Sequence, residues 1–248
     1  IEDDILFDDT GDTNGLVKID LSLPLPKEKI FEVKVSEKRG ITGKRTGVFR
    51  VFIEAAPVIR YTEDVDGQGW LRVKPDEGGE EFSIPIYLKV RYDAVYGGRE
   101  YFVILEGVKK DVKASVSVKP DGTSRFSKIN THGKAVNLTY LISKKTLKLG
   151  RKKYKTADYS DAPWAKGVYD IAIPDYPHEL GLRYVKDASH ATTWFHINYE
   201  TERYIHTGGV SLGCITVTEK SRWDELYAVL ILARKGDGIH IGTLTVID

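Results

Sequence analysis

Apolar and polar residues alternate in short stretches through the first half of the chain. Val17-Lys18-Ile19-Asp20-Leu21, Phe31-Glu32-Val33-Lys34-Val35 and Val112-Lys113-Ala114-Ser115-Val116-Ser117-Val118 each place every second side chain on an apolar face. That is the period of a half-buried strand. Val48–Ile53 is apolar apart from Arg50, and Trp70–Val73, Phe82–Val90 and Tyr101–Leu105 add further strand candidates. Turn words such as Asp66-Gly67, Gly78-Gly79, Gly97-Gly98 and Asp121-Gly122 punctuate them. Short strands with regular turns and no helical period predict a mainly β fold, here an Ig-like β-sandwich over residues 16–130. Pro85 inside its run points to an edge strand or a bulge. Residues 1–15, rich in Asp and Glu, read as a flexible acidic lead. With no His or Cys before position 132, residues 16–130 form an expected spacer module in which Trp70 is a packed aromatic.

The pattern changes after Ser127–Lys134, which reads as a linker into a second module over 131–248. Leu138–Ile142 is a strand candidate, and a basic stretch around Lys148-Leu149-Gly150-Arg151 reads as a hairpin with solvated lysines. Gly167–Ile173 is a strand followed by the loop Pro174–Gly181. Thr192–Ile197 and Arg203–His206 read as a strand pair. Helical spacing of Trp223, Leu226, Tyr227, Leu230 and Ala233 predicts one main helix over Trp223–Arg234, ended by Gly236-Asp237-Gly238 and followed by a last strand, Ile239–Ile247.

Hydrophobic residues make up 41% of the 248 positions and charged residues 29%, enough for a sizeable core. The 37 basic and 36 acidic residues leave a net charge of +1, so no global field favours nucleic acid or an anionic membrane. No apolar run reaches the roughly 18 residues of a membrane span. With neither an initiator Met nor a signal peptide, the chain is expected to be a processed or trimmed product. A lone Cys excludes an internal disulfide and a multi-Cys zinc site, and no metal or cofactor is expected.

That one cysteine, Cys214, lies in Tyr204-Ile205-His206-Thr207-Gly208-Gly209-Val210-Ser211-Leu212-Gly213-Cys214-Ile215. A free thiol ionises near pKa ~8.5 and needs a base or a positive charge to attack a carbonyl at neutral pH. An imidazole can take that proton and return it to a leaving amine. Ile205 leads an apolar run into His206, which a strand would hold rigid, and a Gly-rich bend separates it from the thiol. Ser211 is suited to holding that turn, and the amides near Gly213 and Cys214 to facing an oxyanion.

These residues resemble the catalytic domain of the L,D-transpeptidases, of the YkuD type, over about residues 135–248. The signature is apolar-His-small, a variable loop, then Ser/Thr-x-Gly-Cys-apolar, filled by Ile205-His206-Thr207 and Ser211-Leu212-Gly213-Cys214-Ile215. The resemblance implies a mainly β catalytic domain with one helix, acting on peptidoglycan stem peptides through a thioester, as a transpeptidase or carboxypeptidase. Cys214 would be the nucleophile and His206 the base, with the Thr207 carbonyl orienting the imidazole. Gly213 and Cys214 would supply oxyanion-hole amides. His196, eighteen residues before Cys214, competes for the role of base and otherwise flanks the pocket. His178 would line the cleft, and Leu212 stands where many members have His. Thr216 stands where they often have Arg. These two departures support an alternative: a catalytically degenerate wall-binding protein of the same fold. Either activity implies an extracytoplasmic protein of the periplasm or cell envelope, with peptidoglycan as partner, no nucleic acid and an oligomeric state left open.

Overall fold

Strand follows strand at the intervals set by the alternation, and the fold is mainly β. The computed structural model describes residues 57–198 and 201–248, together with the backbone of two earlier strands, β1 (Ile30–Arg39) and β2 (Gly43–Phe52). The acidic lead at 1–15 and the strand expected at Val17–Leu21 lie outside the described residues. The chain divides into two units, residues 1–56 and 57–248. In the first, β1 and β2 pair antiparallel, with Ile30 opposite Phe52 and Arg39 opposite Gly43.

The second unit holds two sheets. The first contains β3 (Val58–Thr62), β4 (Trp70–Pro75), β5 (Phe82–Pro85), β6 (Lys89–Tyr96), β7 (Arg99–Ile104), β8 (Lys113–Ser117) and β9 (Phe126–Ser127). Their order is β5-β4-β8-β7-β6-β3-β9, with antiparallel pairing throughout. The single strand expected over Phe82–Val90 is in fact two. Pro85 ends β5 at the sheet edge, and Thr62 holds the turn beyond it: its hydroxyl donates to the Pro85 carbonyl (2.6 Å) and accepts from Leu88 N–H (2.8 Å). Tyr87 sits in this turn at φ 63°, a left-handed conformation costly for a bulky side chain. Its N–H donates to the Thr62 carbonyl at 2.8 Å, so backbone bonds on both sides of the turn hold the strained residue.

The second sheet contains β10 (Val136–Leu141), β11 (Thr146–Leu149), β12 (Lys152–Ala157), β13 (Gly167–Ala172), β14 (Phe195–His196), β15 (Tyr204–Thr207), β16 (Ile215–Val217) and β17 (His240–Ile247). The order is β13-β17-β10-β11-β12-β16-β15-β14. Most neighbours are antiparallel, but β10–β17 and β15–β16 are parallel. The helix α1 covers Trp223–Leu230, one turn shorter than its apolar spacing predicts, and buries Trp223, Leu226, Tyr227 and Leu230. The shortening has a local cause. Beyond Leu230 the Leu232 carbonyl accepts from Gly133 N–H (2.9 Å), and the Arg234 guanidinium folds back onto the Ile231 and Ala233 carbonyls.

Buried apolar residues of both sheets, from Leu71 to Val246, belong to one contiguous core. An ionic join closes over it. Arg234 Nε donates to Glu106 at 3.0 Å, with the two side chains only 7% and 9% exposed, while Nη2 donates to the Tyr87 carbonyl at 3.1 Å. The segment expected as a linker carries His132 into this join, where Nε2–H donates to the same Tyr87 carbonyl at 2.6 Å and the ring meets Tyr61 edge-on. A polar cleft of about 380 Å³ opens beside it, lined by Lys89, Glu106, Lys110, His132, Arg234 and Asp237 among others.

Candidate functional site

Parallel pairing of β15 with β16 builds the site. Ile205 pairs with Ile215 and His206 with Thr216. Because strand side chains alternate between faces, Ile205 and Ile215 point into the core while His206 and Thr216 share the opposite face. Cys214 lies in the bend one residue before β16, within hydrogen-bond reach of the Tyr204 backbone. The chain thereby sets His206 on β15 and Cys214 at the entry to its parallel neighbour. β14 lies antiparallel on the other side of β15, with His196 opposite Tyr204.

His206 is buried, and its two nitrogens have distinct partners. Nδ1–H donates to the Thr207 carbonyl at 2.8 Å, which fixes the tautomer and leaves the lone pair of the neutral ring on Nε2. Nε2 lies 3.1 Å from Thr216 Oγ1, which donates to it. Burial pushes the imidazole pKa down to about 4; the Thr207 bond opposes this and the nearby His178 adds to it. The ring is neutral at pH 7. Cys214 is 9% exposed, and burial pushes its thiol up. A backbone hydrogen bond from Tyr204 and the Arg203 charge pull the other way, and Glu202 pushes up. Among the described residues the sulfur makes no hydrogen bond to either candidate imidazole.

A ladder of flat rings backs His206. Trp194 lies between two imidazoles, 4.1 Å from His206 at 18° and 4.3 Å from His178 at 5°, and Tyr176 stacks on the far side of His178 at 4.3 Å. His178 Nε2–H donates to Asp175 at 3.2 Å, and Asp175 also receives the Tyr204 hydroxyl at 3.5 Å. Burial, followed by the Asp175 charge, drives the Tyr204 hydroxyl well above the usual phenol range. His178 thus joins the same ring cluster as His206, one ring removed from it. His196 stacks on Tyr204 at 4.4 Å, and its Nε2 donates to the Thr201 carbonyl.

The bend before the cysteine is held by Ser211. Its hydroxyl donates to the Cys214 carbonyl at 2.7 Å and accepts from Gly213 N–H at 3.2 Å. The Gly213 amide is therefore already engaged within the bend. Gly213 has φ 119°, which an L-residue adopts only under strain. A Cβ on Gly208 would lie 3.2 Å from the Tyr184 ring, which would have to give way by a few tenths of an ångström. Leu212 is 84% exposed and points away from the buried rings, at the lip of the bend. Arg203 lies along the same bend, its guanidinium 4.7 Å from the Trp164 ring and donating to the Ala162 carbonyl at 3.2 Å.

Trp194, Asp175 and Arg203 carry no signal of their own in the sequence. Thr216 could have been found as the residue opposite His206, but only once the β15–β16 register is known. Among the described residues no group of three or more His, Cys, Asp and Glu side chains is placed to hold a metal ion. No helix among them is long and apolar enough to cross a membrane.

No family model matches the chain, and no curated protein matches it. Among solved structures, the chain is similar to L,D-transpeptidase 3 from Mycobacterium tuberculosis, crystallised with a faropenem-derived adduct. The likeness covers 80% of this chain and 91% of that one, at 11% identity and a TM-score of 0.31. A likeness of that size assigns no function, and any functional reading has to rest on the residues themselves.

Proposed function

We propose that the module over residues 131–248 is a cysteine acyl transferase acting on the peptide stems of peptidoglycan, as an L,D-transpeptidase or L,D-carboxypeptidase. One observation carries the reading. The neutral His206 ring is held by the Thr207 carbonyl so that its basic nitrogen faces the strand that Cys214 leads. Nε2 takes the thiol proton, and the thiolate attacks the stem carbonyl carbon. The oxyanion that develops then collapses, the C–N bond breaks, and the imidazolium gives its proton to the leaving amine. An amine of a second stem, or water, attacks the thioester and returns the thiol. No metal or cofactor is required by these steps. The oxyanion is assigned to the Cys214 amide, on the nucleophile's own residue. Such a substrate puts the protein outside the cytoplasm, in the periplasm or cell envelope.

Incubation with defined muropeptides and mass spectrometry of the products tests this. Exchange or loss of a terminal residue that disappears in Cys214→Ser upholds it, and an inert wild-type protein ends it. A carbapenem should add covalently to Cys214. His206→Asn should slow that addition about a hundredfold or more, and His196→Asn by less than about threefold.

A second reading, a wall-binding protein of the same fold without turnover, is favoured by the resting state of the pair. Burial raises the thiol and lowers the imidazole, so both are neutral in the unliganded site. Binding to intact sacculi without any change in the muropeptides would decide for it.

A further inference from the structure

The base of this site sits where a charge is hard to hold. His206 is buried behind Trp194, with His178 beyond that ring and Asp175 bonded to His178. The neighbouring strand offers no charge, only the hydroxyl of Thr216 directly opposite. An acyl-transfer cycle nevertheless requires the imidazole to carry a proton between thiol deprotonation and departure of the amine.

Three distances show how it could do so. Nδ1 is 2.8 Å from the Thr207 carbonyl, Nε2 is 3.1 Å from Thr216 Oγ1, and Oγ1 is 3.3 Å from the Val210 carbonyl. With a neutral ring, Nδ1–H donates to Thr207 and the Thr216 hydroxyl donates to Nε2. With a protonated ring, Nδ1–H still donates to Thr207 and Nε2–H now donates to Thr216 Oγ1. The hydroxyl proton then turns to the Val210 carbonyl. Every polar hydrogen has an acceptor in both states, and only one torsion, that of the hydroxyl, changes between them.

We propose that Thr216 is a positioning residue with a rotating hydroxyl, which lets His206 gain and lose a proton inside a buried site without leaving any group unpaired. The proposal rests on the acyl-transfer reading for its purpose but not for its geometry. The two states are unequally served. A hydrogen bond to a charged ring is stronger than one to a neutral ring. Thr216 therefore favours the imidazolium, and removing the hydroxyl should weaken proton binding by His206 about fivefold to tenfold. The Val210 side chain is exposed while its carbonyl is turned inward. The loop thus supplies the second acceptor through its backbone, and side-chain changes at 210 leave it in place.

The test compares Thr216→Val, close in shape but without the hydroxyl, with Thr216→Ser, which keeps it. Side-chain ¹⁵N NMR of the intact chain, read at pH 4.5, gives the protonated fraction of His206 directly. A several-fold fall in Thr216→Val with near wild-type behaviour in Thr216→Ser supports the proposal. An unchanged or increased fraction in Thr216→Val overturns it, as does equal loss in both variants. Alkylation of Cys214 by iodoacetamide, measured in parallel, separates this from the function itself. If His206→Asn leaves alkylation unaltered while Thr216→Val still lowers the protonated fraction, the rotor stands and the acyl-transfer pair falls. If His206→Asn slows alkylation while Thr216→Val changes neither readout, the pair stands and the rotor is overturned.

Discussion

Two regions of the 57–248 unit bury a histidine among aromatic rings and polar groups, and they use it in opposite ways. At the join of the sheets, His132 and the Arg234 guanidinium both donate to the Tyr87 carbonyl, and Arg234 also serves Glu106 and two further carbonyls. The Arg234 contacts work in a single protonation state and hold a strained turn. At the candidate site, His206 has a fixed partner on one nitrogen and a hydroxyl with a second acceptor on the other. Saturated contacts fit a structural role. A spare acceptor is what a group needs if its proton has to move.

Breaking the join should give the largest effect on stability. Arg234→Ala removes the guanidinium and leaves the buried Glu106 carboxylate with only Lys89 N–H and the His132 ring 3.8 Å away, at a cost of about 3–5 kcal/mol. Urea denaturation would show this as a lower midpoint. A loss under about 1 kcal/mol would place the join among inconsequential ion pairs and erase the contrast.

Acid should come next. The unfolded chain protonates His206 near pH 6.5 and the folded one only near 4. Between these values the unfolded state binds more protons, so stability falls as pH drops from about 6.5 to 4, by roughly 3 kcal/mol from this residue. His132, lowered by burial and by Arg234, adds in the same direction. His206→Asn should flatten part of that slope in a pH series of thermal melts. A slope unaltered by the substitution would mean that His206 is not the buried neutral group described above.

The smallest effect is expected at the bend. In Gly213→Ala the new Cβ has room, its nearest neighbour being Arg203 Nε at 3.7 Å. The cost is then backbone strain alone, about 1–3 kcal/mol. Carbapenem addition should slow more than the melting temperature falls, because the strain displaces the residue before the thiol. Equal losses in both would show that the bend is merely structural.

How much of this the sequence discloses depends on whether a feature is local. Alternation marks β1 and β8, apolar-rich runs mark β2, β4 and β7, and turn words mark several of the gaps between strands. The division of Phe82–Val90 is hidden because its cause is Thr62, twenty residues upstream. Arg234 and Glu106 lie 128 residues apart, and nothing near either one points to the other. In the candidate site, the word around Cys214 makes the thiol and the two histidines legible as candidates. The His206–Thr216 pairing is not legible, because the parallel register of β15 and β16 is fixed by the packing of Ile205 and Ile215 in the core. The ring ladder is hidden for the same reason: Tyr176, His178, Trp194 and His206 meet only after three segments fold together.

The parallel partners β15 and β16 are joined by only residues 208–214, whereas side-by-side strands running in one direction commonly need a connection of a dozen or more. These strands are so short that residues 208–214 need only return from the end of one to the start of the other. With Ile205 and Ile215 anchored in the core, a residue added to or taken from this tether would be absorbed in the bend. The groups just before the sulfur would move, while the strands behind them kept their register.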